Sequence, residues 1–178
     1  PPADFTALVA LGPKVEEFNR RTGRRIVPIA SCGPYAQYLF NALVPSQTQR
    51  LAIELSPHRN LRVLGSELAA LQLSGEVGYD TPGVRSALEL MREVTALMPP
   101  GFTQLQRDDA LFAYLQGNAL MFYAGSWDYA VLVRDAAFPT GITRLPLPAL
   151  DDPRYGPHML GPFSEAAGSP EAMLGVVR

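Results

Sequence analysis

Apolar residues in the first part of the chain recur at spacings near three and four. Phe5, Leu8, Val9, Leu11, Val15 and Phe18 mark one buried face of a helix over residues 4–21. Gly12-Pro13 is expected to kink that helix, and Gly23 to close it with a left-handed cap. Residues 25–30 then read as a short strand, whose Pro28 places it at a sheet edge or a strand end. After Ser31-Cys32-Gly33-Pro34 the spacing predicts a helix over 35–44, with Pro34 at its start and Tyr38, Leu39, Ala42 and Leu43 facing inward. From 45 to 75 the apolar positions fit short helices or loops, broken at Ser56-Pro57-His58-Arg59-Asn60.

Further along the signals sharpen. Asp80 or Thr81 as cap and Pro82 just inside open a helix with Val84, Ala87, Leu88, Met91, Val94, Thr95 and Met98 as its buried stripe. Pro99-Pro100-Gly101 ends it. A helix over 108–116 turns Leu111, Phe112 and Leu115 inward and closes at Gly117-Asn118. Residues 119–124 are an almost unbroken apolar run of strand length, the pattern of a strand covered on both faces. Gly125-Ser126 turns the chain into a helix over 127–137, and a second strand runs through 141–145. Proline and glycine make 149–168 a long loop. Alternating helices and strands predict an α/β layer architecture, one domain over the 178 residues.

Composition narrows the function classes. With 47% hydrophobic and 18% charged residues the chain is a globular protein, and its net charge of -2 offers no basic face for nucleic acid. Arg20, Arg21, Arg24 and Arg25 cluster at a predicted helix end, where cations offset exposed carbonyls. Cys32 is the only cysteine and can form no internal disulfide. No apolar run reaches the roughly 18 residues of a membrane span. The opening at Pro1, and the helix-like pattern Ser169-Pro170-Glu171-Ala172-Met173 near the end, read as cuts within a longer chain.

Few motifs carry chemistry. There is no phosphate-binding glycine loop. His58 and His158 have no cysteine or regularly spaced acid beside them, so no metal site is expected. Asp108-Asp109 belongs to a helix's first turn, and Asp151-Asp152-Pro153 is turn chemistry. Ser126 lacks the second glycine of a nucleophile elbow, so no catalytic residue and no cofactor are assigned. The aromatic residues stand out: Tyr35 follows Gly33-Pro34, and Trp127 follows Gly125-Ser126, each where a strand gives way to a helix. Ligands of open α/β sheets gather at such places. Trp127 can be a core plug there or a platform for a sugar ring; position alone leaves both open.

The segment Leu111-Phe112-Ala113-Tyr114-Leu115-Gln116-Gly117-Asn118-Ala119-Leu120-Met121, followed by Gly125-Ser126-Trp127, resembles the "aF..G.aaM...G.W" signature of bacterial extracellular solute-binding proteins of the maltose-binding type. Gly75 to Pro82 is similar to the family's "dG.vdfdsp" lead into a long helix, and Gly141 to Pro148 to "yGv..lP.p". The resemblance implies a periplasmic-binding-protein-like α/β lobe with helices around a small mixed sheet. It corresponds to the second of two lobes, with the first largely missing and 149–168 running toward the hinge. It implies a non-enzymatic protein of the periplasm or cell surface that binds a mono- or oligosaccharide and passes it to the permease subunits of an ABC transporter; the alternatives are the same fold holding a non-sugar solute such as an amino acid or polyamine, or a serine hydrolase using Ser126. Trp127 matches the family's sugar-stacking position and Tyr35 its ligand-contacting tyrosine; Asp128, Gly125 and Ser126 complete the expected site. Gly161-Pro162-Phe163-Ser164-Glu165-Ala166 departs from the Gly-Gly turn of many relatives.

Overall fold

The first helical pattern splits at Ala10, upstream of Gly12-Pro13. Helix α1 covers Phe5–Val9, with the Asp4 carboxylate accepting from the Ala7 N–H at 2.7 Å, and α2 covers Leu11–Thr22. Pro13 falls in the first turn of α2, where a backbone N–H has no intrahelical acceptor, so its ring breaks nothing. Gly23 takes the left-handed cap with φ of 69°, and Arg20 and Arg21 occupy the last turn of α2, both as expected. The computed structural model describes residues 1–56 and 65–160 and the backbone of 173–176. The break at 57–60 with His58, the return loop over 161–168 and residues 169–172 lie outside the described residues.

The protein is mixed α/β, mostly helical, and divides into two compact units. The first comprises Pro1–Phe40, Glu93–Pro146 and the last strand. Its sheet holds β1 (Val27–Ala30), β2 (Ala119–Ala124), β3 (Gly141–Arg144) and β4 (Met173–Val176) in the order β1-β2-β4-β3. β1 and β2 are parallel, with Val27 opposite Ala119 and Ile29 opposite Met121; β4 is antiparallel to both β2 and β3. β1 is therefore an edge strand, where Pro28 needs no ladder partner. β2 is central and buried at every position but Leu120, as its apolar run requires. Met173 opens a strand and not a helix. Four residues are too few for periodicity to separate the two, and the pairing to β2 and β3 decides.

Helix α7 (Arg107–Leu115) packs on β1 and β2 through Ala110, Leu111 and Tyr114. The expected inward residue Phe112 is exposed, and Tyr114 replaces it with no exposed surface. The Tyr114 ring meets Phe138 edge-on at 5.5 Å and Phe122 at 6.0 Å, and its hydroxyl reaches Thr140 Oγ1 at 3.5 Å. Helix α3 (Gly33–Gln47) starts two residues earlier than its apolar pattern and continues through Pro45. It buries Tyr35, Leu39 and Leu43, while Tyr38, expected inward, is half exposed. The helix expected from Trp127 begins as a 3₁₀ turn over Ser126–Asp128, and α8 proper covers Tyr129–Asp135.

The second unit comprises the described parts of Asn41–Arg92 and Leu147–Pro170. It holds the end of α3, α4 (Gln49–Leu55), α5 (Gly65–Leu73) and most of α6 (Pro82–Thr95), whose start at Pro82 after Thr81 is the one expected. Buried amides organise it. Gln47 Oε1 accepts from Ser86 Oγ at 2.8 Å, and Gln49 Oε1 from the Leu160 N–H at 2.7 Å. The expected turn at 151–153 forms around Asp152, whose Oδ1 accepts from the Arg154 N–H at 2.8 Å. The buried stripe of α6 is rotated from the expected one: Ala87, Leu90 and Val94 are buried, continuing into Leu97 and Met98, whereas Leu88 is 42% exposed. Leu90→Ala is accordingly expected to lower unfolding free energy by about 2–5 kcal/mol. Leu88→Ala should stay within about 0.5 kcal/mol; urea titration of both variants checks the rotation.

Candidate ligand-binding site

Three chain segments of the first unit converge beyond the carboxyl ends of the parallel strands. β2 ends at Ala124, and Gly125 leads into the 3₁₀ turn that carries Trp127 and Asp128. β1 leads through Ser31-Cys32 into α3, which carries Tyr35 one turn in. The start of α3 is drawn against the preceding segment of α7, with the Gly33 N–H donating to Leu105 O at 3.1 Å. Any side chain at Gly33 would strike the Thr103 carbonyl, so a residue without Cβ is required. α7 then brings Arg107 as its first residue.

At the centre is the Asp128 carboxylate, which has no exposed surface. Its Oδ2 accepts from the Tyr35 hydroxyl at 2.5 Å and from the Gly125 N–H at 3.2 Å. Its Oδ1 accepts from Arg107 Nε at 2.7 Å and also from Nη2 of the same guanidinium. Arg107 Nη1 turns outward to Asp108 at 3.0 Å. Removing a carboxylate from water costs several kcal/mol unless its lone pairs are satisfied, and four donors meet that need here. Tyr35 in turn accepts from the Trp127 indole N–H at 3.0 Å, so Tyr35 links the buried carboxylate to the indole. Burial, and then the hydrogen bond donated to Asp128, push the Tyr35 phenol up to about 12.

Of the expected site residues, Tyr35, Gly125, Trp127 and Asp128 come together. Tyr35 and Asp128 lie beneath the surface, with their polar atoms engaged with each other. Trp127 is 49% exposed. Its six-membered ring lies over Gly125, where even a methyl group would collide with it. Ser126 is exposed beside it, and among the described residues no histidine hydrogen-bonds to it. Two members of the cluster were not expected from the sequence. Arg107 is separated from Asp128 by 21 positions, and only the fold pairs them. Tyr38 stands with its ring centroid 5.5 Å from that of Trp127; its apolar spacing had assigned it to the core.

The other polar candidates take structural roles. Asp109 accepts from the Gln106 N–H at 2.9 Å as part of a capping box at the start of α7. Asp152 forms its turn, and His158 belongs to a 3₁₀ turn over Gly156–His158. Among the described residues no group of His, Cys, Asp and Glu could hold a metal, and no helix is long and apolar enough to cross a membrane.

No family model and no curated protein matches the chain. Among solved structures it is similar to one from a study of xylan utilization by the thermophilic bacterium Caldanaerobius polysaccharolyticus, at 22% identity and a TM-score of 0.40 over 76% of this chain. The chain spans 30% of that structure's length.

The buried phenol gives the cluster a pH signature. Folded Tyr35 keeps its proton at pH values where the unfolded chain has lost it, so its contribution is complete below pH ~10 and is lost as pH rises toward about 12. Over that window stability should fall by up to about 1.4 kcal/mol per pH unit on its account. Tyr35→Phe should flatten that part of the fall in urea midpoints recorded across the window. A residual slope is expected from Tyr114 and Tyr123, whose phenols burial also raises.

Proposed function

We propose that this protein binds a carbohydrate without transforming it, with Trp127 stacking on the C–H face of a sugar ring. The supporting observation is the indole itself, half exposed yet held from beneath by Tyr35, which is held by the buried Asp128. A tryptophan that merely filled the core would be buried over both faces. One that only decorated the surface would not have its single N–H fixed by a buried hydroxyl–carboxylate pair. A fixed, flat apolar face loses little conformational entropy on binding, which suits a ligand such as a sugar that offers modest apolar contact. In this reading Tyr35 and Asp128 are positioning residues that act through Trp127, and Gly125 and Ser126 form the floor and rim beside it.

The wider role is that of a solute-binding protein of the periplasm or cell surface. The sugar is held in a cleft between this lobe and a second one and handed to the permease subunits of an ABC importer. Closure over a ligand favours the closed form only through contacts made there, so affinity is shared between the two walls of such a cleft. Trp127 is the sole tryptophan, so its emission reports directly on its own site, including weak binding. Titration with mono- and oligosaccharides of glucose, galactose, xylose and arabinose is expected to shift that emission. By calorimetry Trp127→Ala should lose at least about 30-fold in affinity with an unchanged circular dichroism spectrum. Silence toward every sugar together with a clear response to an amino acid or polyamine would overturn the assignment.

A further inference from the structure

Trp127 has an open aromatic neighbour. Tyr38 is three residues past Tyr35 on α3, on the same side of the helix, yet Tyr35 is 4% exposed and Tyr38 48%. The Tyr38 ring leans on the indole at an interplanar angle of 53°, and it meets Tyr35 edge-on with centroids 5.9 Å apart. Tyr35 contacts Trp127 in the same way, at 6.4 Å, so one buried ring braces both exposed ones. The indole N–H is directed inward to Tyr35, which leaves apolar ring surface toward solvent. Among the described residues the Tyr38 hydroxyl takes no part in the buried network, and on a half-exposed ring it can meet a ligand hydroxyl.

Two braced aromatic surfaces that meet at an angle form a ledge wider than one sugar ring. Their centroid separation of 5.5 Å is comparable to the advance per residue along a chain of linked pyranoses. We infer that Tyr38 is a second ligand platform of this site, and that Tyr38 and Trp127 together receive two consecutive pyranose units of a glycan. The inference rests on the carbohydrate reading of Trp127 and adds the ligand's size class. A monosaccharide occupies one platform, whereas a linked pair occupies both, so Tyr38 is the residue that favours oligosaccharides. The angle between the rings also disfavours a flat, fused aromatic ligand, which can lie on only one of them.

The test follows Trp127 emission in the full chain, titrated with glucose, galactose and mannose and with their α- and β-linked disaccharides. Wild type, Tyr38→Ala and Tyr38→Phe are compared after circular dichroism has established equal folding. Tyr38→Ala should weaken the best disaccharide about tenfold more than its monosaccharide. Tyr38→Phe, which keeps the ring, should retain most of that preference. Equal losses for both sugar sizes, or no loss for either, would overturn the role of Tyr38 while leaving Trp127 as a sugar platform. If no sugar perturbs the emission, the carbohydrate reading fails and the second platform fails with it.

Discussion

The first unit is organised around one buried carboxylate. Asp128 draws together the first residue of α7, the first turn of α3 and the turn after β2, because each supplies a donor that it needs once water is gone. A buried ion pair of this kind is weak evidence for stability, since its desolvation offsets much of its attraction. What it supplies is uniqueness of arrangement: any shift of the three segments would leave a charge or a hydroxyl unpaired in an apolar setting. The positions of Tyr35, and through it of Trp127 and Tyr38, follow from that requirement.

Those contacts also divide labour within the cluster. The polar atoms of Tyr35 and Asp128 face inward and satisfy each other, while the surfaces left outside are aromatic faces. Specific recognition of a polar molecule ordinarily combines such faces with a few hydrogen-bonding groups. Arg107, partly exposed and anchored by Asp128, the exposed Ser126 beside Trp127 and the half-exposed Tyr38 supply polar groups in the same cluster.

Element type was legible in the sequence wherever a signal had a backbone cause. Pro82 after Thr81 marked the start of α6, Gly23 the end of α2, and the run 119–124 a central strand. Which face of a helix is buried was less legible. Leu88 and Leu90 are equally apolar, and Phe112 is more apolar than Tyr114. Burial went to the residue whose shape met its neighbours, as when Tyr114 met Phe138 and Phe122. The site divided in the same way. Trp127 and Tyr35 were legible as candidates because glycine-containing turns announced the strand ends that carry them. Arg107 was hidden because its partner is remote in sequence, and Tyr38 because apolar spacing cannot distinguish a ring kept for the core from one left in water.

The place of β4 in the sheet bears on how the protein is made. Among the described strands β3 pairs only with β4, and β4 separates it from β2. On a ribosome, β1 and β2 can form their parallel pair while one edge of the buried strand β2 stays open and β3 has nothing to join. The gap closes only when the last of the four strands emerges, and long-range pairing of this sort is slow. Nascent chains halted before that point would present β2 as an uncovered edge, the feature through which unfinished sheets recruit one another. Completing the sheet thus requires a short strand to enter between two that were made before it.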